Sequence, residues 1–125
     1  MPATNKRFPP RTLAAFDATK YLRIRCGQHR YIAIWVVVVG GRVIVRSWND
    51  KPRGWYRAFL DEPRGDVQLE DRQVAIRAVP LRGERLNDAA DAAYAAKYTT
   101  KANLKYVQGF RSPRRKACTL ELLPR

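Results

Sequence analysis

Tyr31 to Val39 is an unbroken run of β-branched, aliphatic and aromatic residues, closed by Gly40-Gly41 and resumed in strand-like composition from Arg42 to Trp48. Two such runs separated by two glycines predict a tight hairpin, because glycine enters the positive-φ turn conformations without steric cost. The hairpin feeds a polar loop, Asn49 to Gly54, and then Trp55-Tyr56 at the start of a helix. The rest of the chain has to pack around this unit.

Thr12 is placed to cap a short helix over 13–18, and Tyr21–Arg25 alternates as a half-buried strand with Leu22 and Ile24 on one face. Cys26 to Arg30 is a short connection, so a second hairpin precedes the first. Pro52 and Gly54 break the chain before a helix over Trp55–Leu60, and Pro63 and Gly65 end it. Val67–Leu69 and Val74–Val79 read as strands around a turn at Glu70-Asp71. The alanine-rich stretch from Leu86 to Tyr98 is strongly helix-forming, with Leu86, Ala90, Ala93, Tyr94 and Lys97 on a narrow small-residue face. Asn103–Val107 has room for one more helical turn, and Thr119–Leu123 alternates as a last strand. Six strands joined by hairpin-length loops favour antiparallel pairing, and such a sheet curls to remove its edges. The expected fold is α+β, a six-stranded antiparallel split β-barrel with short flanking helices. It forms a single domain over 1–125, with 1–11 as a loose N-terminal arm.

Composition narrows the function. The chain has 25 Lys and Arg against 11 Asp and Glu, a formal charge of +14. That excess favours anionic partners or, equally, describes a solvated arginine-rich surface. Two cysteines, Cys26 and Cys118, make no disulfide framework and fit a reducing compartment. The N-terminus lacks a signal-type apolar stretch, and the longest apolar run is far short of the ~20 residues of a membrane helix. A cytoplasmic protein with no membrane partner is expected.

Acid–base and metal chemistry find little support. His29 is the only histidine, and with Cys26 it supplies two candidate ligands where zinc takes three or four, so no metal is expected. The carboxylates are scattered, and there is no Walker loop, Gly-x-Gly-x-x-Gly or nucleophile elbow. No catalytic side chain is assigned. Positive charge interleaved with aromatics remains: Arg30, Arg46, Lys51, Arg53 and Arg57 around Trp48, Trp55 and Tyr56. Guanidinium groups bind phosphate bidentately and an indole offers a flat face to a planar ring, which suits a nucleotide-like cofactor. The alternative is that Trp35 and Trp55 are core, with arginines lying over them. Trp35, inside the apolar run, is expected in the core. Lys101, Lys105, Arg111, Arg114, Arg115 and Lys116 extend the basic character, as solvated surface or as a phosphate clamp for a dimer partner.

Gly27-Gln28-His29-Arg30, the apolar strand, Gly40-Gly41 and a strand ending in Ser47 resemble the split β-barrel superfamily that binds flavins and deazaflavins, the pyridoxamine-phosphate-oxidase-like proteins. Pro52-Arg53-Gly54-Trp55-Tyr56-Arg57 leading to Glu62-Pro63 is similar to the deazaflavin-dependent nitroreductase branch, and within it to a small bacterial family of unknown function. The likeness spans roughly residues 21–80. It implies a homodimer with FMN or a deazaflavin coenzyme near the interface. Arg30 would then lie by the cofactor phosphate, Ser47 beside the ring system, and Trp55 at the start of the flanking helix. Arg30, Arg46, Ser47, Trp48, Lys51, Arg53 and Trp55 form the expected cofactor-binding set, and any enzyme would be an oxidoreductase whose hydride transfer the cofactor carries. The chain departs from the branch in having Arg25-Cys26-Gly27 instead of a Gly-Arg-x-Ser-Gly turn, and Ala58 instead of an asparagine. The competing expectation is a non-enzymatic basic barrel that binds nucleic acid or another polyanion.

Overall fold

The structure is a computed structural model that describes residues 7–125, so the first six residues of the expected N-terminal arm lie outside the described residues. In chain order the elements are α1 (Pro10–Ala18), β1 (Tyr21–Cys26), β2 (Ile32–Trp35), β3 (Val37–Val39), β4 (Arg42–Arg46), α2 (Trp55–Asp61) and β5 (Arg64–Leu69). There follow β6 (Arg72–Pro80), α3 (Glu84–Lys97), α4 (Leu104–Gly109), α5 (Pro113–Lys116) and β7 (Thr119–Pro124). The strands form one antiparallel sheet in the order β2-β1-β5-β6-β7-β4-β3. Among the described residues no helix is long and apolar enough to cross a membrane.

The α+β class and the antiparallel split barrel are as the sequence predicts, with seven strands in place of six. The extra strand has one cause. The run Tyr31–Val39 is two strands, β2 and β3, which meet at Val36 and sit at opposite ends of the sheet. β2 pairs with β1 while β3 pairs with β4, so the two ends of the sheet are joined by the chain itself. The expected hairpin survives on the second half, where Gly40 and Gly41 both take positive φ, 55° and 80°, as a two-residue turn matched to strand twist requires. The first helix also begins earlier than expected. Pro10 opens it, Pro9 stands at the cap, and Thr12 is a buried residue inside the first turns.

Both faces of β3 and β4 are covered, which explains why no alternation is visible there. Leu22, Ile24, Ile34, Val36, Val43, Val45, Val67, Ile76, Leu120 and Leu122 fill the barrel interior with Phe16 and Phe59. Val37 and Ile44 point outward into a second cluster with Ala90, Tyr94 and Tyr98 from α3 and its end, together with Val107 and Phe110. The face of α3 read from its alanine spacing is the one that packs, with Ala90 and Tyr94 fully buried and Leu86 and Ala93 beside them.

The junction at Val36 is held from the end of α3. Val36 is fully buried and belongs to neither ladder, so its backbone polar groups need other partners. The Tyr98 hydroxyl accepts the Val36 N–H at 3.0 Å and donates to the Lys20 carbonyl at 2.6 Å. The Lys97 ammonium donates to the Val36 carbonyl at 2.7 Å and to the Phe16 carbonyl at 3.1 Å. Trp35 lies flat on the Tyr98 ring, with centroids 4.0 Å apart.

Replacing Tyr98 by Phe keeps the stack and removes the hydroxyl, leaving the Val36 N–H unpaired. A loss of about 1–3 kcal/mol in denaturant unfolding is expected. Burial lowers the Lys97 amine from 10.5 to about 8. Between those values the unfolded chain binds more protons than the folded one, so this residue's contribution to stability rises with pH across that window. Wild-type stability measured relative to Lys97→Met should therefore climb between pH 8 and 10.5. A flat difference would show that the amine is freely solvated.

Candidate functional site

An aromatic pocket of about 350 Å³ opens between the β1–β2 end of the sheet and α4. Trp35, Trp48, Trp55, Tyr106 and Phe110 line it with Tyr21 and Ile32. Trp35 therefore does two things: one face stacks on Tyr98 within the outer core, and the side chain also lines the pocket. The expectation of a purely structural Trp35 was too narrow. Tyr106 and Phe110 meet Trp35 edge-on, at 6.3 and 5.8 Å between centroids.

Trp48 is fixed from several sides. Tyr106 meets its ring edge-on at 5.4 Å, and the Arg115 guanidinium lies 3.5 Å from the ring centroid. Arg115 is itself tethered, donating from Nε to the Trp48 carbonyl at 2.7 Å and from Nη1 to the Gly109 carbonyl at 3.3 Å. The indole presses on the backbone at Gly109 so closely that a Cβ there would stand 2.4 Å from Trp48 Cη2. Only glycine leaves room for this approach.

Two basic grooves flank the pocket. The larger, about 630 Å³, shares Trp55 and Ile32 with it and carries Arg25, His29, Arg30 and Arg53. Asp61 and Glu62 also line this groove, and Glu62 is paired with Arg64 at 2.9 Å. Arg25 is the best-anchored cation here. Its Nε donates to Asp66 at 2.9 Å, its guanidinium lies 4.6 Å from the Tyr31 ring centroid, and the Tyr31 hydroxyl bonds the other Asp66 oxygen. Burial opposes ionisation of Asp66, but the Tyr31 and Arg25 hydrogen bonds win and hold its carboxyl below the usual carboxylate value. The smaller groove, about 370 Å³, shares Trp48 with the pocket and is lined by Asn49, Asp50, Lys51, Arg114 and Arg115.

The expected cofactor-binding set is thus divided. Arg30, Arg53 and Trp55 meet in the larger groove, whereas Trp48 and Lys51 border the smaller one. Ser47 is buried and spends its hydroxyl locally, donating to the Asn49 carbonyl at 2.6 Å and accepting the Asn49 N–H at 3.3 Å. Arg46 has a different role from the one expected of it. It borders the floor of the pocket but is only 2% exposed, and every donor is engaged. Nε reaches Thr119 Oγ1 at 2.7 Å, and Nη1 reaches Asp91 at 2.6 Å and the Phe110 carbonyl at 2.9 Å. Nη2 reaches the carbonyl and side-chain oxygens of Asn87 at 3.3 and 3.2 Å. Five N–H groups meet five acceptors, so no donor remains for a ligand. Arg57, expected nearby, is bound by both oxygens of Asp50.

Tyr21, Ile32, Tyr106 and Phe110 were not foreseen as site residues. They stand in segments that look like ordinary strand or helix in the sequence, and they converge only through the sheet order. Arg25 and Arg115 were legible as basic residues but not as anchored ones, because Asp66 and Gly109 lie far off or give no signal.

Among solved structures, a putative pyridoxamine 5'-phosphate oxidase from Listeria innocua superposes with a TM-score of 0.64, at 11% identity over 91% of this chain and 90% of that one. A FAD-binding protein from Mesorhizobium loti gives 0.51, at 15% identity over 92% and 87%. A heme binding protein from Mycobacterium smegmatis gives 0.51, at 17% identity over 90% of this chain and 48% of that one. At these identities the likeness establishes the fold. No curated protein matches the sequence. A family model described as an uncharacterized protein conserved in bacteria, DUF2255, matches residues 12–122.

Replacing Arg46 by Lys should cost about 3–5 kcal/mol in denaturant unfolding, because one ammonium cannot meet five acceptors in a buried site. A substitution that left stability unchanged would return Arg46 to the list of candidate ligand contacts.

Proposed function

The chain belongs to the DUF2255 family of bacterial proteins, and from the site it carries we propose that it binds a flavin-type cofactor, FMN or a deazaflavin. The observation that carries this reading is continuity: an aromatic pocket and a groove with three arginines share Trp55 and Ile32. A flavin-type cofactor has a planar ring system at one end and phosphate at the other. The donor set suits both ends, since indole and phenol faces accept a flat heterocycle and guanidinium groups accept phosphate oxygens in pairs. Both volumes fall within the ~300–1,000 Å³ range of small-molecule sites.

Trp35, Trp48 and Trp55 would hold the ring, and Arg25, Arg30 and Arg53 the phosphate. When bound, the cofactor supplies hydride chemistry, which makes an oxidoreductase the fitting enzyme class. The chain's own part is to orient the ring between rigid aromatic walls, exclude water from it and neutralise the phosphate. Arg30 and Arg53, outside any ion pair among the described residues, would supply the charge, while Arg25, fixed in advance by Asp66 and Tyr31, would offer hydrogen-bond donors at little ordering cost.

A homodimer fits the same surface. Tyr21, Ile32, Leu104 and Tyr106 are 58%, 38%, 48% and 43% exposed. Three of them line the pocket mouth. A second copy seated there would cover the ring and bury apolar groups that otherwise face water.

Titration of the purified protein with FMN and with a deazaflavin, followed by flavin fluorescence or absorbance, tests the reading. Arg30→Ala should weaken binding about tenfold or more, a loss of about 1.4 kcal/mol or more, with an unchanged melting temperature. Absence of binding to either cofactor overturns the proposal. If that absence came with nucleic-acid binding that fell steeply as salt rose, the polyanion reading would replace it.

A further inference from the structure

The smaller groove has no place in the cofactor reading, although it borders the same pocket. We propose that Lys51, Arg114 and Arg115, grouped beside Trp48, form a second anion site that receives the phosphate or carboxylate group of a substrate. The inference rests on the flavin-type reading of the adjoining pocket.

The first reason is arrangement. The aromatic pocket has a basic groove on each of two sides, reached past Trp55 on one and past Trp48 on the other. A flavin-type cofactor carries its anionic tail on one side of the ring only. It can therefore neutralise one groove, and the other faces whatever approaches the ring.

The second reason is the state of the cations. Arg115 is stacked on Trp48, and two of its nitrogens are committed to backbone carbonyls, which leaves Nη2 as the nitrogen without a partner in a fixed plane. Arg114 and Lys51 are exposed, and neither enters an ion pair among the described residues. The one carboxylate lining the groove, Asp50, has both oxygens occupied by Arg57. Lys116, the next cation along, behaves in the opposite way and is consumed by Asp88 and Asp91. A fixed guanidinium with Nη2 uncommitted, flanked by two cations outside any ion pair among the described residues, suits a small oxyanion, because that donor is already ordered before binding. Trp48 forms the wall between this groove and the pocket, so an anion held here would place the rest of its molecule against the ring.

The test uses the full chain, free and saturated with FMN, titrated with sodium pyrophosphate and separately with disodium succinate at constant ionic strength. The indole N–H resonances are followed, with Trp48 assigned from Trp48→Phe. A saturable shift of the Trp48 signal is expected with at least one probe, and whichever probe acts identifies phosphate or carboxylate as the preferred group. Arg114→Glu should weaken that binding at least tenfold while FMN affinity stays within twofold of wild type. No saturable Trp48 shift with either probe overturns the inference. So does binding abolished by Arg30→Ala but untouched by Arg114→Glu, which would leave the cofactor reading standing. If FMN fails to bind while the Trp48 shift persists and depends on Arg114, the cofactor reading falls, and with it the substrate role, leaving only an anion site.

Discussion

The barrel depends on one joint that is not a β-ladder. The ends of the sheet, β2 and β3, are consecutive in sequence and meet at Val36, whose amide and carbonyl have no strand to pair with. In a fully buried position such groups are expensive to leave unmet, and the only way to close the sheet here is to bring partners from elsewhere. Tyr98 and Lys97 do so from the C-terminal end of α3. Their reach in turn fixes where α3 lies, and with it the outer cluster of Tyr94, Tyr98, Val107 and Phe110.

Arg46 repeats the device one layer further out. It ties β4 to β7 through Thr119, to α3 through Asp91 and Asn87, and to the segment after α4 through the Phe110 carbonyl. Because Phe110 and Tyr106 furnish one wall of the aromatic pocket, the pocket's shape is set by a buried ion pair beneath it. Every donor of Arg46 is engaged, and the cations outside any ion pair among the described residues stand at the rims: Arg30 and Arg53 on one side, Lys51, Arg114 and Arg115 on the other.

Much of this was legible and some was not, for identifiable reasons. Gly40-Gly41 specified its hairpin, and the alanine spacing of α3 specified its packed face. The break at Val36 was hidden because Ile34, Val36 and Val38 face the barrel interior while Trp35, Val37 and Val39 face the outer cluster, so every position is apolar and no period shows. Arg46 looked like a ligand contact since its neighbours are Ser47 and Trp48. Its real partners, Asn87, Asp91, Phe110 and Thr119, stand more than forty residues away and carry no local mark. Arg30 and Arg53 were named from charge beside aromatics, but that they line one groove with Trp55 follows from the sheet order and carries no local mark.

Trp35 has a consequence that reaches past its place in the pocket wall. One of its faces leans on Tyr98, the residue that clamps the Val36 joint, while its side chain also borders the cavity. The point where the sheet closes without a ladder therefore lies a single aromatic ring behind the pocket wall. An occupant resting on that indole would bear on the closure of the fold as well, because the same ring serves both.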